Sequence, residues 1–150
     1  MVSRTYHVSK TFNAPLEYVF DWCTDFRDED PIIASNSTKR RIIEKTKTRA
    51  IYISKYVNQG KKFEGVRIVA LEPPNKWHLD GVAEDQNETG EYRLTALGRK
   101  KTRLDMAFKV IYKKGKPASK KSWEGDTSGE WDRFRAALER DYTSGRSATA

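Results

Sequence analysis

From Arg40 to Tyr112 the sequence keeps returning to one pattern: alternating apolar and polar residues, rich in Val, Ile, Tyr, Phe and Thr, closed by a few residues of turn chemistry. These runs read as strands over Arg40 to Lys47, Arg49 to Asn58, Lys62 to Glu72, Lys76 to Asp85, Glu88 to Ala96 and Lys101 to Tyr112. The joints are Asn58-Gln59-Gly60, Pro73-Pro74-Asn75, Gln86-Asn87 and Leu97-Gly98-Arg99. A parallel crossover needs about a dozen residues or more, so joints this short make consecutive strands antiparallel neighbours. The last run is the clearest, with Leu104, Met106, Phe108, Val110 and Tyr112 on one face and Arg103, Asp105 and Lys109 on the other.

A sheet with one apolar face must bury that face against another element. The segment Thr127 to Tyr142, TSGEWDRFRAALERDY, supplies one. Trp131, Phe134, Leu138 and Tyr142 stack as one stripe at helical spacing, with Asp132, Arg133, Glu139 and Arg140 on the flank and far side. Thr127 and Glu130 match a capping box, which predicts the helix start at Thr127. Trp123 lies near the same stripe and allows a start as early as Ser119, against Gly125 and Gly129, each worth about 1 kcal/mol less than alanine in a helix.

Upstream, Arg4 to Phe12 alternates with Tyr6, Val8 and Phe12 on one side, interrupted by Lys10, and reads as a half-buried strand. Asn13-Ala14-Pro15 then opens a short helix carrying Leu16, Val19, Phe20 and Cys23 and ending near Asp25. A second helical or irregular piece, Phe26 to Ala34, holds Phe26, Ile32 and Ile33 around Asp28-Glu29-Asp30, and Pro31 limits its helicity. The segment KKGKPASKK, Lys113 to Lys121, reads as a flexible basic loop, and residues 143–150 read as a flexible tail.

A chain of 150 residues is expected to form one domain, residues 1–150, with its own core. No apolar run approaches the roughly 20 residues of a membrane span, and the N-terminus lacks the apolar core of a secretory signal, so a cytoplasmic location is expected. Cys23 is the single cysteine and reads as a buried spectator. His7 and His78 fall at outward parity, no carboxylate cluster has metal spacing, and no Gly-rich phosphate loop follows a strand. The residues therefore imply no metal, no cofactor and no catalytic set, which favours binding over catalysis. The net charge of +8 is compatible with RNA, the ribosome or an anionic membrane as partners. Its basic clusters, Lys39-Arg40-Arg41, Lys61-Lys62, Arg99-Lys100-Lys101 and Lys113 to Lys121, otherwise read as solvated loops.

The resulting order, strand, two short helices, six strands and a long helix, resembles the α+β helix-grip fold of the START-like (SRPBCC) superfamily, which includes birch-allergen-like proteins, lipid-transfer domains and polyketide cyclases. The opening FNAPLEYVFDWCTDF and the hairpin YRLTALGRKKTRLDMAF carry the resemblance locally. It implies a curved antiparallel sheet of about seven strands wrapped around the C-terminal helix, with a cavity between them. Strand and helix parity then nominate Trp77, Leu79, Tyr92, Leu94, Met106, Phe108, Trp131, Phe134 and Leu138 as lining residues, with Phe26 and Ile32 at the mouth. The resemblance implies binding or transfer of a hydrophobic small molecule or lipid. Its alternative is a cyclase or dehydratase using Tyr52, Tyr56 or Tyr92 for proton transfer.

Overall fold

Strand pairing organises the protein. A computed structural model describes residues 1–27, 30–33 and 38–149. The strands are β1 (Val2–Phe12), β2 (Lys39–Lys45), β3 (Arg49–Asn58), β4 (Lys61–Glu72), β5 (Lys76–Ala83), β6 (Gln86–Gly98) and β7 (Lys101–Tyr112). All neighbours pair antiparallel in one seven-stranded sheet of order β1-β7-β6-β5-β4-β3-β2. Five of its six neighbour pairs are consecutive in the chain, as the short joints require. The exception brings β1 beside β7.

The joints follow local chemistry. Asn58 pairs with Lys61 across a tight turn whose two central residues, Gln59 and Gly60, both adopt positive φ (51° and 79°). The β5–β6 joint differs from the expected Gln86-Asn87, because Gln86 and Asn87 pair with Tyr112 and Ile111 inside β6. The turn falls on Glu84-Asp85 instead. There the buried Asp85 accepts from Tyr56 Oη and from Asn58 Nδ2 (2.9 Å), and its carbonyl accepts from the backbone of Lys113 and Lys114 (2.8 and 3.0 Å). One aspartate thus ties the β3, β5–β6 and β7 ends together.

Helix α1 (Leu16–Cys23) buries Val19, Phe20 and Trp22, and Thr102 Oγ1 holds the carbonyl of Ala14 before it (2.9 Å). Helix α2 (Asp30–Ile33) lies within the expected Phe26-to-Ala34 piece, whose last residue, Ala34, is outside the described residues. Asp28, Glu29 and the Ser35-Asn36-Ser37 segment lie outside the described residues. Helix α3 runs over Lys120–Thr143, seven residues earlier than the capping-box reading placed it. Ser119 is the cap, its hydroxyl accepting from Ser122 N (3.1 Å), while Thr127 lies inside the helix. The reason is tertiary: Trp123 stacks on Tyr6 (4.4 Å, 7°) and packs against Phe108 (4.8 Å). Such ring contacts offset the helix cost of Gly125 and Gly129.

The core lies between the sheet and the C-terminal half of α3, closed by α1. Lys10, which interrupts the apolar side of β1, reaches Asp132 on α3 at 2.6 Å. At the far end Asp141 accepts from Trp22 Nε1 (3.0 Å). The stretch expected as a tail folds back onto α1: Tyr18 Oη donates to the carbonyl of Arg146 (3.0 Å), Arg27 Nη2 to that of Ala148 (2.6 Å), and Ala148 is buried.

A methyl group at Gly125 meets no neighbouring atom, and one at Gly129 approaches only the Arg133 guanidinium, at 3.9 Å. Gly125→Ala and Gly129→Ala are therefore each expected to raise stability by about 0.5–1 kcal/mol. The measurement is a urea midpoint that moves up at unchanged slope.

Candidate functional site: a two-sided cleft under the C-terminal helix

The inner face of the sheet changes character along the strands. At one end its inward positions are Ala50, Val69, Leu71, Leu79, Leu94, Leu104 and Met106, all buried. At the other end strand parity turns Arg40, Tyr52, Tyr56, Asn58, Arg67 and Glu88 inward. Helix α3 changes in step. Its second half offers Phe134, Ala137 and Leu138, whereas between Trp123 and Trp131 it offers Asp126, Thr127 and Glu130. Polar groups on both sides do not interdigitate as a core does, and a cleft of about 700 Å³ remains there. It continues into a smaller pocket of about 180 Å³ lined by Trp22, Phe26, Trp77 and Phe134.

The two walls differ chemically. On one side rings connect continuously: Trp77 stacks on Tyr92 (4.9 Å, 11°), Tyr92 meets Phe108 edge-on (5.5 Å), and Trp131 lies 6.3 Å from Tyr92. Gly90 makes this possible, since a Cβ there would sit 3.0 Å from the Tyr92 ring and 3.1 Å from that of Phe108. On the other side stand two ion pairs, Arg40 with Asp30 (2.6 Å) and Arg67 with Glu88 (2.7 Å). The guanidinium of Arg40 covers the Tyr52 ring at 4.4 Å, and its Nε is buried with no hydrogen-bond partner among the described residues. Arg67 depends on Gly81, where a Cβ would come within 2.5 Å of the guanidinium.

Burial sets the proton affinities. It opposes the charge on Arg67, but Glu88 together with Tyr52 and Tyr56 outweighs that penalty and holds the group charged. Burial pushes the Asp30 carboxyl up against the pull of Arg40. Burial, then the hydrogen bond to Asp85, raises the Tyr56 hydroxyl. Burial, then Glu88, raises Tyr92 well above the ordinary phenol range. The hydroxyls of Tyr52 and Tyr92 have no hydrogen-bond partner among the described residues, so both remain available to a molecule in the cleft. Among the described residues no cluster of His, Cys, Asp and Glu is arranged to hold a metal ion.

No protein-family profile matches the sequence, and no curated protein matches it. Solved structures do match. The Zhui aromatase/cyclase from Streptomyces sp. R1128 superposes with a TM-score of 0.75 at 14% identity, over 94% of this chain and 96% of that one. A START superfamily protein from Mycobacterium smegmatis gives 0.62 at 15% identity, over 90% and 94%. Ara h 8.0201 gives 0.68 at 13%, over 91% and 98%. This protein has the helix-grip fold of START-like proteins.

Within the helix grip, the nominated residues fall in three places. Phe26, Trp77, Tyr92, Phe108, Trp131 and Phe134 line the cleft or its inner pocket. Leu79, Leu94, Met106 and Leu138 do not: all four are buried in the solid core beneath the second half of α3. Ile32 is 78% exposed and lines neither space. Arg40, Arg67 and Glu88 also belong to the cleft wall and were not nominated. Their signal was present in the sequence. In KKFEGVRIVALE the buried parity of Val69 and Leu71 continues backwards through Arg67, a charge where alternation demands an inward residue.

Leu138 is buried in the core and does not border the cleft. Leu138→Ala should cost about 2–5 kcal/mol and leave ligand affinity unchanged, because transfer and cavity terms both apply and the side chain does not face the cleft. Urea unfolding and a binding titration on the same variant check both parts.

Proposed function

We propose that the cleft binds a flat, oxygen-bearing hydrophobic small molecule, its ring system against Phe108, Trp123 and Trp131 and its oxygens toward Tyr52, Arg67 and Tyr92. The observation that carries this reading is the two-sided lining: a continuous aromatic wall together with hydrogen-bonding groups, two of them hydroxyls with no hydrogen-bond partner among the described residues. A saturated acyl chain would fill the aromatic side and leave the buried arginine and tyrosine groups unmatched, at a desolvation cost. An aromatic or polyketone skeleton satisfies both walls. The likeness in fold to an aromatase/cyclase supports the same class of ligand.

Trp123 and Trp131 line the cleft, so their fluorescence reports occupancy. Titration with polycyclic phenols is expected to quench it at lower concentration than titration with saturated fatty acids. Tyr52→Phe and Tyr92→Phe should each weaken phenol binding about 2–10-fold, the worth of one net hydrogen bond, without lowering the melting temperature. Equal response to fatty acids and phenols, with both variants unchanged, would overturn the reading.

A second reading, catalysis on such a ligand, is favoured by the presence of Arg67, Glu88, Tyr52 and Tyr92 in the lining of the same cleft. With its hydroxyl held protonated, Tyr92 is suited to donate a hydrogen bond to a carbonyl oxygen while Glu88 takes the proton from the carbon beside it, and Arg67 to stabilise the enolate oxygen that results. On this reading a poly-β-ketone cyclises with a changed product distribution in the presence of protein, and Arg67→Ala abolishes the change. Identical products and rates with and without protein would leave binding alone.

A further inference from the structure

We propose that the pole of the sheet where the cleft ends is a docking surface for an anionic phospholipid bilayer. Antiparallel pairing brings the β3–β4 turn, the start of β2 and the end of β7 to this same pole. The pole is tied into one surface by Gln59 Nε2, which donates to the Lys116 carbonyl (3.2 Å), and by Asp85, which holds Asn58 together with the backbone of Lys113 and Lys114.

That surface is built from lysine. Lys55, Lys61 and Lys62 flank the β3–β4 turn, Lys39 lies directly opposite Lys55 on β2, and the KKGKPASKK segment faces them from the β7–α3 side. All of these lysines are exposed. The exposed carboxylates at the same strand ends are Glu64 and Glu84, and Glu84 is already paired with Lys114. Like charges directly opposite across two strands, as at Lys39 and Lys55, destabilise a sheet in isolation and are relieved by an anionic surface.

The apolar component decides between lipid and nucleic acid. Val57, 48% exposed, stands among Lys39, Lys55 and Lys62 over a shallow surface pocket. An aliphatic side chain with three lysines and one carboxylate, Glu64, around it suits an interface where stems enter the acyl boundary and ammonium groups meet phosphates. Single-stranded nucleic acid binds by stacking on free aromatic faces. The rings here, Tyr56 and Phe63, are half-buried and packed on each other at 5.9 Å. Val57, Gln59 and Pro117 also border the cleft, so docking this pole turns the end of the cleft toward the bilayer. The docking itself does not depend on which molecule the cleft holds.

The test is co-sedimentation of the full chain with vesicles of phosphatidylcholine alone and with phosphatidylserine at roughly one part in three, at low and high salt. Binding to the anionic vesicles alone, lost at high salt, is expected. Two charge-reversed proteins with the same net charge complete it. Replacing Lys61, Lys62, Lys116 and Lys120 by Glu should lower binding by at least about tenfold, while replacing Lys47, Arg99, Lys100 and Lys101 at the opposite pole should leave most of it. Lys120→Glu falls in the first turn of α3, where a negative charge suits the helix, and circular dichroism checks that both proteins are folded. Equal binding to neutral vesicles, absence of binding, or equal loss in both proteins overturns the proposal. So does displacement from the vesicles by single-stranded RNA that binds more tightly than lipid.

Discussion

The structure depends on the meeting of α3 with the rings of β6 and β7. A one-sided sheet cannot persist with its apolar face in water, and among the described residues the long element that covers that face is the C-terminal helix. Tyr6, Trp123, Phe108, Tyr92 and Trp77 form a chain of ring contacts from β1 through the helix to β5. Trp131 joins the same set to Phe134 (5.1 Å) and Phe12 (6.4 Å). Large rings fix the distance between helix and sheet. Where the intervening side chains are Leu, Val and Met they fill that distance, and where they are Ser, Thr and charged groups they leave it open. One spacing thereby produces both a core and a cleft.

The polar wall needs a reason other than stability. Arg67 and Glu88 are largely withdrawn from water, with 16% and 14% of their side chains exposed. Desolvating such a pair typically costs about as much as its mutual attraction returns, so apolar residues of similar volume would stabilise the fold at least as well. The same holds for Arg40 and Asp30. Two such pairs, with tyrosine hydroxyls that have no hydrogen-bond partner among the described residues, place hydrogen-bonding capacity where a core has none. Gly81 and Gly90 extend the argument into the backbone, since each leaves out a Cβ that would displace a cleft-lining side chain.

Asp85 links this interior to the surface. Its carboxylate orders Tyr56 and Asn58 at the cleft, and its carbonyl orders the first residues of the basic loop. The lysines of that loop therefore project from a fixed base, next to the cleft end. A change at the pole has a short, hydrogen-bonded route to the lining, through one buried residue.

The sequence alone determined the sheet. Strands β3 and β7 end where alternation and turn residues placed them, and β4 starts one residue early, because side-chain alternation and turn chemistry are local properties of the chain. It also determined that α3 carries the covering stripe. Tertiary structure decided the rest. The start of α3 moved to Ser119 because the partner of Trp123 is Tyr6, distant in the chain, and no capping rule registers that contact. The β5–β6 turn moved to Glu84-Asp85 because Asp85 is satisfied by residues from two other strand ends. Parity placed Leu94, Met106 and Leu138 on the inner side correctly but not beside the cleft. Alternation reports which face a residue occupies, whereas whether that face meets a filled or an open space depends on what the opposing helix presents at the same height.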